Sequence, residues 1–323
     1  MHRLTTIVLT VGLLAPALVL AQEPQCNIPL SAQATAACNT AVDAVRAFSP
    51  LAGMIIDGGN PVLGSAGALG GFGHVMLTAQ VQRHQGGPPR PDGDEPVTRA
   101  VELRRRGARA DGGGRDRRAA WDGRRLRSVD FLGSALILPT GISNLTVDSS
   151  AAHIGDAALG VGYGARVGVL CGGFPIPSVS VSWMHRSLPR LRYGTLGPQF
   201  GLGDRFEFNM DLDADGYRAV AGWKFVLVDL AAGFGLDHYR SNNTNIRFYD
   251  NPASPTSART VVINPSNTRA LLFVNGGLSL AAVKLVGEVG LQAGKDQSYV
   301  TQFANFDPKA AHVFGGLGLR FGF

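Results

Sequence analysis

Asp211, Asp213 and Asp215 stand at alternate positions and are followed at once by Gly216. Three carboxylates and a turn-making glycine suit a hard cation, and this spacing matches the first half of a calcium loop of the EF-hand type. The twelfth position should carry a bidentate Glu, but Gly222 stands there. Calcium at these three aspartates is thus an expectation with one ligand short, and no other cofactor is expected. Asp237 and His238 are neighbours, so on a strand their side chains leave by opposite faces and cannot work as a dyad. Gly160, Gly162 and Gly164 have the look of a phosphate loop, yet they lie in an alternating run with no helix after it. A narrow, close-packed wall is the better reading of them. Neither Gly-x-Ser-x-Gly nor His-Glu-x-x-His occurs.

The elements that would position these residues are strands. From Ala311 to Phe321 every second residue is apolar or small, and His312, Phe314, Gly316, Gly318, Arg320 and Gly322 fall between them. A period of two gives a strand with two unlike faces. Ending on Phe323, this stretch resembles the closing strand of bacterial outer-membrane β-barrels, in which a terminal Phe is the mark read by the barrel-assembly machinery. The same alternation marks strands at Gly73–Gln82, Ser128–Leu138, Asp156–Leu170, Pro177–Ser187, Arg205–Phe225, Val228–Arg240, Thr268–Ala281, Val283–Gly294 and Ala310–Phe323. Nine are visible, and an even number is expected, so the reading is an all-β, transmembrane, antiparallel up-and-down barrel of about ten strands over residues 71–323. Mean hydropathy of only +0.08 agrees, because alternating strands produce no long apolar peak. Tyr163, Trp183, Trp223 and Phe225 are candidates for the aromatic girdles. Long connections at 139–155, 188–204, 241–267 and 295–309 alternate with short ones near 171–176, 226 and 282. That pattern orients the long ones outside. It requires Arg205–Phe225 to be one long strand, with a bulge to account for the change of apolar parity at Asp213–Gly216.

The start of the chain agrees with export. His2 and Arg3 precede an uncharged, mostly apolar run, and Ala21 ends it, which reads as a signal peptide over residues 1–21. Residues 22–70 form a short N-terminal segment. Within it Ala32, Ala36, Val42, Val45 and Phe48 recur at helical spacing, and Ser31 is placed to cap the helix. It either rests at the periplasmic mouth as a short cap, the simpler expectation, or enters the lumen as a plug. Cys26 and Cys38 have no His nearby, so in an exported chain a disulfide between them is expected rather than a metal site.

Charge is unevenly distributed. Residues 83–127 hold 13 arginines against 7 acidic residues, which accounts for the whole formal charge of +6. The basicity is local, and nucleic acid is not an expected partner; lipid of the outer membrane is. This stretch lacks Ile, Phe, Tyr, Asn, Lys, Ser, Met and Cys and shows no convincing alternation. Its residues are those of GC-rich codons, so two compensating frame changes, near Gln82 and near Ser128, that overwrote an outer loop and the second strand are expected; a basic, disordered outer loop binding anionic surface lipid is the alternative.

Alternation turns Gln80, Asp130, Arg166, Arg186, Arg218, Asp237, Glu288 and Arg320 away from lipid. Mixed charges there either cross-link a filled lumen or line a narrow path for small polar solutes. Ten strands enclose a constricted lumen, since eight are just filled by side chains and aqueous pores need about sixteen. The count is similar to that of the omptin proteases, but their paired carboxylates and Asp-x-His arrangement are missing from these strands. The expected role is therefore non-enzymatic: a structural or surface-binding barrel in the bacterial outer membrane. A narrow solute channel stands second and an outer-membrane hydrolase last.

Overall fold

The structure is a computed structural model, and it describes residues 24–67, 76–84, 100–107, 128–139, 145–147, 153–154, 157–170, 172, 174–193, 206–251, 257–280, 283–294 and 310–322. After a 3-10 turn at Pro24–Cys26, helix α1 spans Ala32–Asp57. Fourteen strands follow among the described residues: β1 Met76–His84, β2 Ala100–Gly107, β3 Ser128–Pro139, β4 Leu145–Val147, β5 His153–Ile154, β6 Ala157–Leu170, β7 Ser178–Tyr193, β8 Phe206–Lys224, β9 Val228–Arg240, β10 Thr244–Tyr249, β11 Ala258–Ile263, β12 Ser266–Leu280, β13 Val283–Gln292 and β14 His312–Gly322.

Ten of these close a ring. The order β1-β2-β3-β6-β7-β8-β9-β12-β13-β14 returns to β1, every neighbour being antiparallel. Met76 pairs with Gly322 where the ring shuts. Closure satisfies the backbone on both sides of every strand, which is what permits a sheet to stand in hydrocarbon. The outer wall is apolar at alternate positions: Phe234, Leu272 and Leu317 are each 60% exposed or more. An apolar band of this extent belongs in lipid. Among the described residues no helix is long and apolar enough to cross a membrane. Tyr163 and Trp183 meet edge to face, their ring centroids 5.8 Å apart, partway up the outer wall. Trp223 and Phe225 are exposed at the short-turn end.

Several expectations need correction. Alternation finds no strand within 83–127, whereas Ala100–Gly107 forms the returning strand β2 between β1 and β3. Flanking ladders supply the template there, and an unpaired edge in lipid is costly enough to recruit a poorly alternating stretch. The bulge expected in β8 is also absent: β8 pairs with β9 in unbroken register from Asp213↔Arg240 to Lys224↔Asp229. The irregularity lies on β7, between Leu188 and Leu191. Apolar parity changes along β8 because its surroundings change. Phe208, Met210, Leu212 and Ala214 face α1 inside, while Tyr217 faces outward lower down. Finally, the stretch 241–267 is not all loop, since β10 and β11 form a hairpin and β10 extends the wall alongside the start of β8.

The helix is no peripheral cap. Ser31 accepts the Ala34 N–H at 3.2 Å, and Cys26 is disulfide-bonded to Cys38 with Cα atoms 5.9 Å apart. From Ala41 onward nearly every described side chain of α1 is buried inside the ring. Ala41, Ala44, Ala47 and Ala52 keep it slim, and Phe48 meets Phe208 with centroids 6.4 Å apart.

The closed ring makes β2 indispensable. Deleting residues 86–125 removes it and leaves β1 and β3 with open edges. The shortened chain should therefore fail to give a heat-resistant folded band in detergent, whereas the full chain gives one; a shortened chain as heat-resistant as the full one would contradict the ten-strand ring.

Candidate functional site

Where α1 ends, one carboxylate meets the barrel wall. Asp57 is 1% exposed and accepts from the Arg186 guanidinium, and Arg218 Nη2 lies 3.6 Å from its Oδ2. Arg218 also donates to the Asp57 carbonyl at 2.6 Å and to the Gly59 carbonyl at 2.9 Å, so it caps the end of the helix as well as pairing its charge. The remaining Nη1 is 2.5 Å from Asp237 Oδ1. Asp237 in turn accepts the Tyr239 hydroxyl at 2.7 Å, and Gln292 donates to that hydroxyl. Charges buried to this degree are tolerable because each has an opposite partner.

Two glycines make this approach possible. A Cβ at Gly216 would run into the Asp57 carboxylate, and one at Gly53 would run into the Tyr239 ring. The glycine that the sequence pairs with a calcium loop therefore serves to admit a carboxylate from the plug.

Below Asp57 the chain continues down the lumen and is tied to the wall at each step. Glu288 accepts the Asn60 N–H with both oxygens, at 3.0 and 2.9 Å. Arg320 donates to the Leu63 carbonyl at 3.0 Å, Asn275 accepts the Gly64 N–H at 3.2 Å, and Lys284 donates to the Gly64 carbonyl at 2.7 Å and pairs with Asp229. Arg166 reaches the Ser65 carbonyl at 3.2 Å and Ser180 Oγ at 3.0 Å. Asp130 sits opposite Arg166 across the β3–β6 ladder. All seven lumen residues expected from alternation, Asp130, Arg166, Arg186, Arg218, Asp237, Glu288 and Arg320, are buried. The expectation for Gln80 concerns a side chain outside the described residues, as does that for Phe323.

Period-two reasoning cannot reach Asp57, Asn60 or the backbone of 57–65, because they belong to the plug and not to a strand. The signal available was a single acid closing an apolar helix, followed by Gly58-Gly59-Asn60.

The calcium expectation is corrected here. Asp211, Asp213 and Asp215 lie along one face of the extended strand β8, about 7 Å from one to the next, and do not wrap a common centre. Arg190 holds Asp211 in a fork at 2.9 and 2.6 Å, and Asp215 is 2.9 Å from His185 and 3.2 Å from Arg240. Among the described residues no group of three or more His, Cys, Asp or Glu side chains is arranged to hold a metal ion. Asp237 is buried inside and His238 bonds Thr268 Oγ1 at 2.8 Å, so the two act separately. Gly162 and Gly164 do form a tight wall, their positions pressed against β7.

No family model and no curated protein matches the chain. Among solved structures it is similar to the outer-membrane protease OmpT from Escherichia coli, at 10% identity and a TM-score of 0.39 over 80% of this chain and all of that one. It is also similar to the translocator domain of the autotransporter NalP from Neisseria meningitidis, at 10% identity and a TM-score of 0.35 over 78% and 90% of the two chains. A third is the toluene transporter TodX from Pseudomonas putida, at 11% and 0.29 over 77% and 88%. A protease, a translocator and a transporter share no activity that could be lent to this chain.

Removing the Asp57 carboxylate takes a buried counter-charge from both Arg186 and Arg218, so Asp57→Ala should cost about 3–5 kcal/mol in equilibrium unfolding from detergent. Combining it with Arg186→Ala should cost less than the two single losses added together. Strict additivity would mean that the two side chains do not interact.

Proposed function

We propose that the protein is a non-enzymatic barrel of the bacterial outer membrane whose lumen is sealed by its own N-terminal segment, leaving a structural or surface-binding role to its outer face. The observation that carries this reading is the plug. An apolar upper storey, built from α1 against Phe208, Met210, Leu212, Ile246, Phe248 and Phe314, closes the lumen above Asp57. The hydrogen-bonded run from Asp57 to Ser65 fills it below. Buried mixed charges consumed in pinning a backbone are not a path for ions. Outer-membrane placement is supported by the exposed apolar band on a closed ring. Above that band the wall carries ion pairs whose guanidinium groups reach water: Arg192 and Arg247 both bind the buried Glu207, and Arg259 lies 3.3 Å from Asp250.

Planar-bilayer recording tests the reading. The full chain should give no stable unitary currents, while a chain lacking residues 32–66 should conduct. Stable currents from the full chain that vanish in Arg166→Ala or Arg320→Ala would instead make it a narrow solute channel.

A further inference from the structure

We infer that the N-terminal segment enters the barrel from the cell-exterior end, so that residues 24–31 stand at the cell surface. The inference rests on the outer-membrane reading and deepens it, since a plug hung from the periplasmic mouth would run the other way.

The two ends of the ring are distinguishable. At one end β8–β9 and β12–β13 are joined by only 225–227 and 281–282, and β14 finishes there. At the other end lie the long links 194–205, 241–265 and 293–311, which belong outside. The β10–β11 hairpin rises from that outer end, and Asp250 follows directly on β10.

Helix α1 starts beside this hairpin. Ser31 N–H donates to Asp250 Oδ1 at 3.3 Å, and Ser31 Oγ donates to the Asp250 carbonyl at 2.6 Å. Burial then deepens along the helix. Asn27, Ile28 and Pro29 are exposed and Ser31 to Gln33 remain so, whereas the residues from Ala41 to Val45 are all buried. A helix of 26 residues is about 39 Å long, enough to begin above the membrane and finish well inside it. Its end, Asp57, meets Arg218, six residues above the end of β8. Gly64 meets Lys284, the second residue of β13. The chain then begins β1 at Met76, opposite Gly322 at the periplasmic end of β14. The path from Ser31 to Ser65 therefore runs from outside to inside through the lumen, and β1, starting at Met76 beside Gly322, carries the chain outward again through the wall. The disulfide from Cys26 to Cys38 closes the start of the helix into a loop at the outer mouth.

The test is an epitope inserted between Asn27 and Ile28, probed by antibody on intact and permeabilised cells. Two reference tags accompany it in separate chains, one in the outer link 252–256 and one beside Val226 in a short turn. The expected result is labelling of the 27/28 and 252–256 tags on intact cells as strong as after permeabilisation, with the Val226 tag reached only after permeabilisation. If the 252–256 tag is reached on intact cells and the 27/28 tag is not, the inference fails while the barrel's orientation stands. If the 252–256 tag also needs permeabilisation, the orientation is inverted and both fall. Should the insertion prevent assembly, Asn27→Lys places a trypsin site at the same exposed position. Shaving of intact cells, followed by reduction and terminal mapping, should then reveal cleavage after residue 27 in folded protein. Protection of that site on intact cells, with cleavage after permeabilisation, would overturn the inference.

Discussion

A ring of ten strands encloses a space that its own side chains do not fill, yet one too narrow for anything wider than a single slim helix. The rest of the structure follows from that mismatch. Facing water, the inner wall could have been polar throughout; facing a helix, its upper half becomes a hydrophobic core. Alanines at 41, 44, 47 and 52 keep the helix thin, and Gly53 lets it lie against the Tyr239 ring. Phe208, Phe248, Phe273 and Phe314 close in from the wall where the helix leaves room. The barrel thus has two apolar surfaces at different heights, one outside toward lipid and one inside toward its plug.

At the end of the helix the problem changes character. Beyond the Gly58 N–H to Met54 carbonyl bond, the Asp57 carbonyl and the buried backbone that follows have no helical partners, so the wall must supply donors and acceptors there. Arg218, Arg320, Arg166, Lys284, Asn275 and Glu288 do so, one contact after another from Asp57 down to Ser65. Most of these contacts go to backbone atoms, which makes the arrangement independent of the plug's side chains below Asp57. Asp57 is the exception, because it alone brings a charge of its own to the arginines. The same contacts that satisfy the backbone also occupy the charges that might have lined a conduit, and this ties the fold to the proposed role at the outer face.

Alternation along single strands determined a good deal by itself. A period of two assigns each residue to one of two faces from local geometry alone, so the seven buried lumen charges, the lipid-facing band, the tight Gly162–Gly164 wall and nine of the ten ring strands were all readable. The Ser31 cap and the Cys26–Cys38 bond were readable for the same reason, each being a matter of a few neighbouring residues. What stands opposite a face was not readable. Asp57 is far in sequence from both Arg186 and Arg218, and nothing near it announces an arginine. The change of apolar parity at Asp213–Gly216 reads as a bulge because a local pattern cannot show that the inner face has met a helix. Residues 100–107 lack a clean alternation of their own, and only the ladders on either side decide that they form a strand. Faces are set by the neighbouring residue; the filling of the lumen, the place of Asp57 and the tenth strand are set by groups that the chain brings together only when the ring closes.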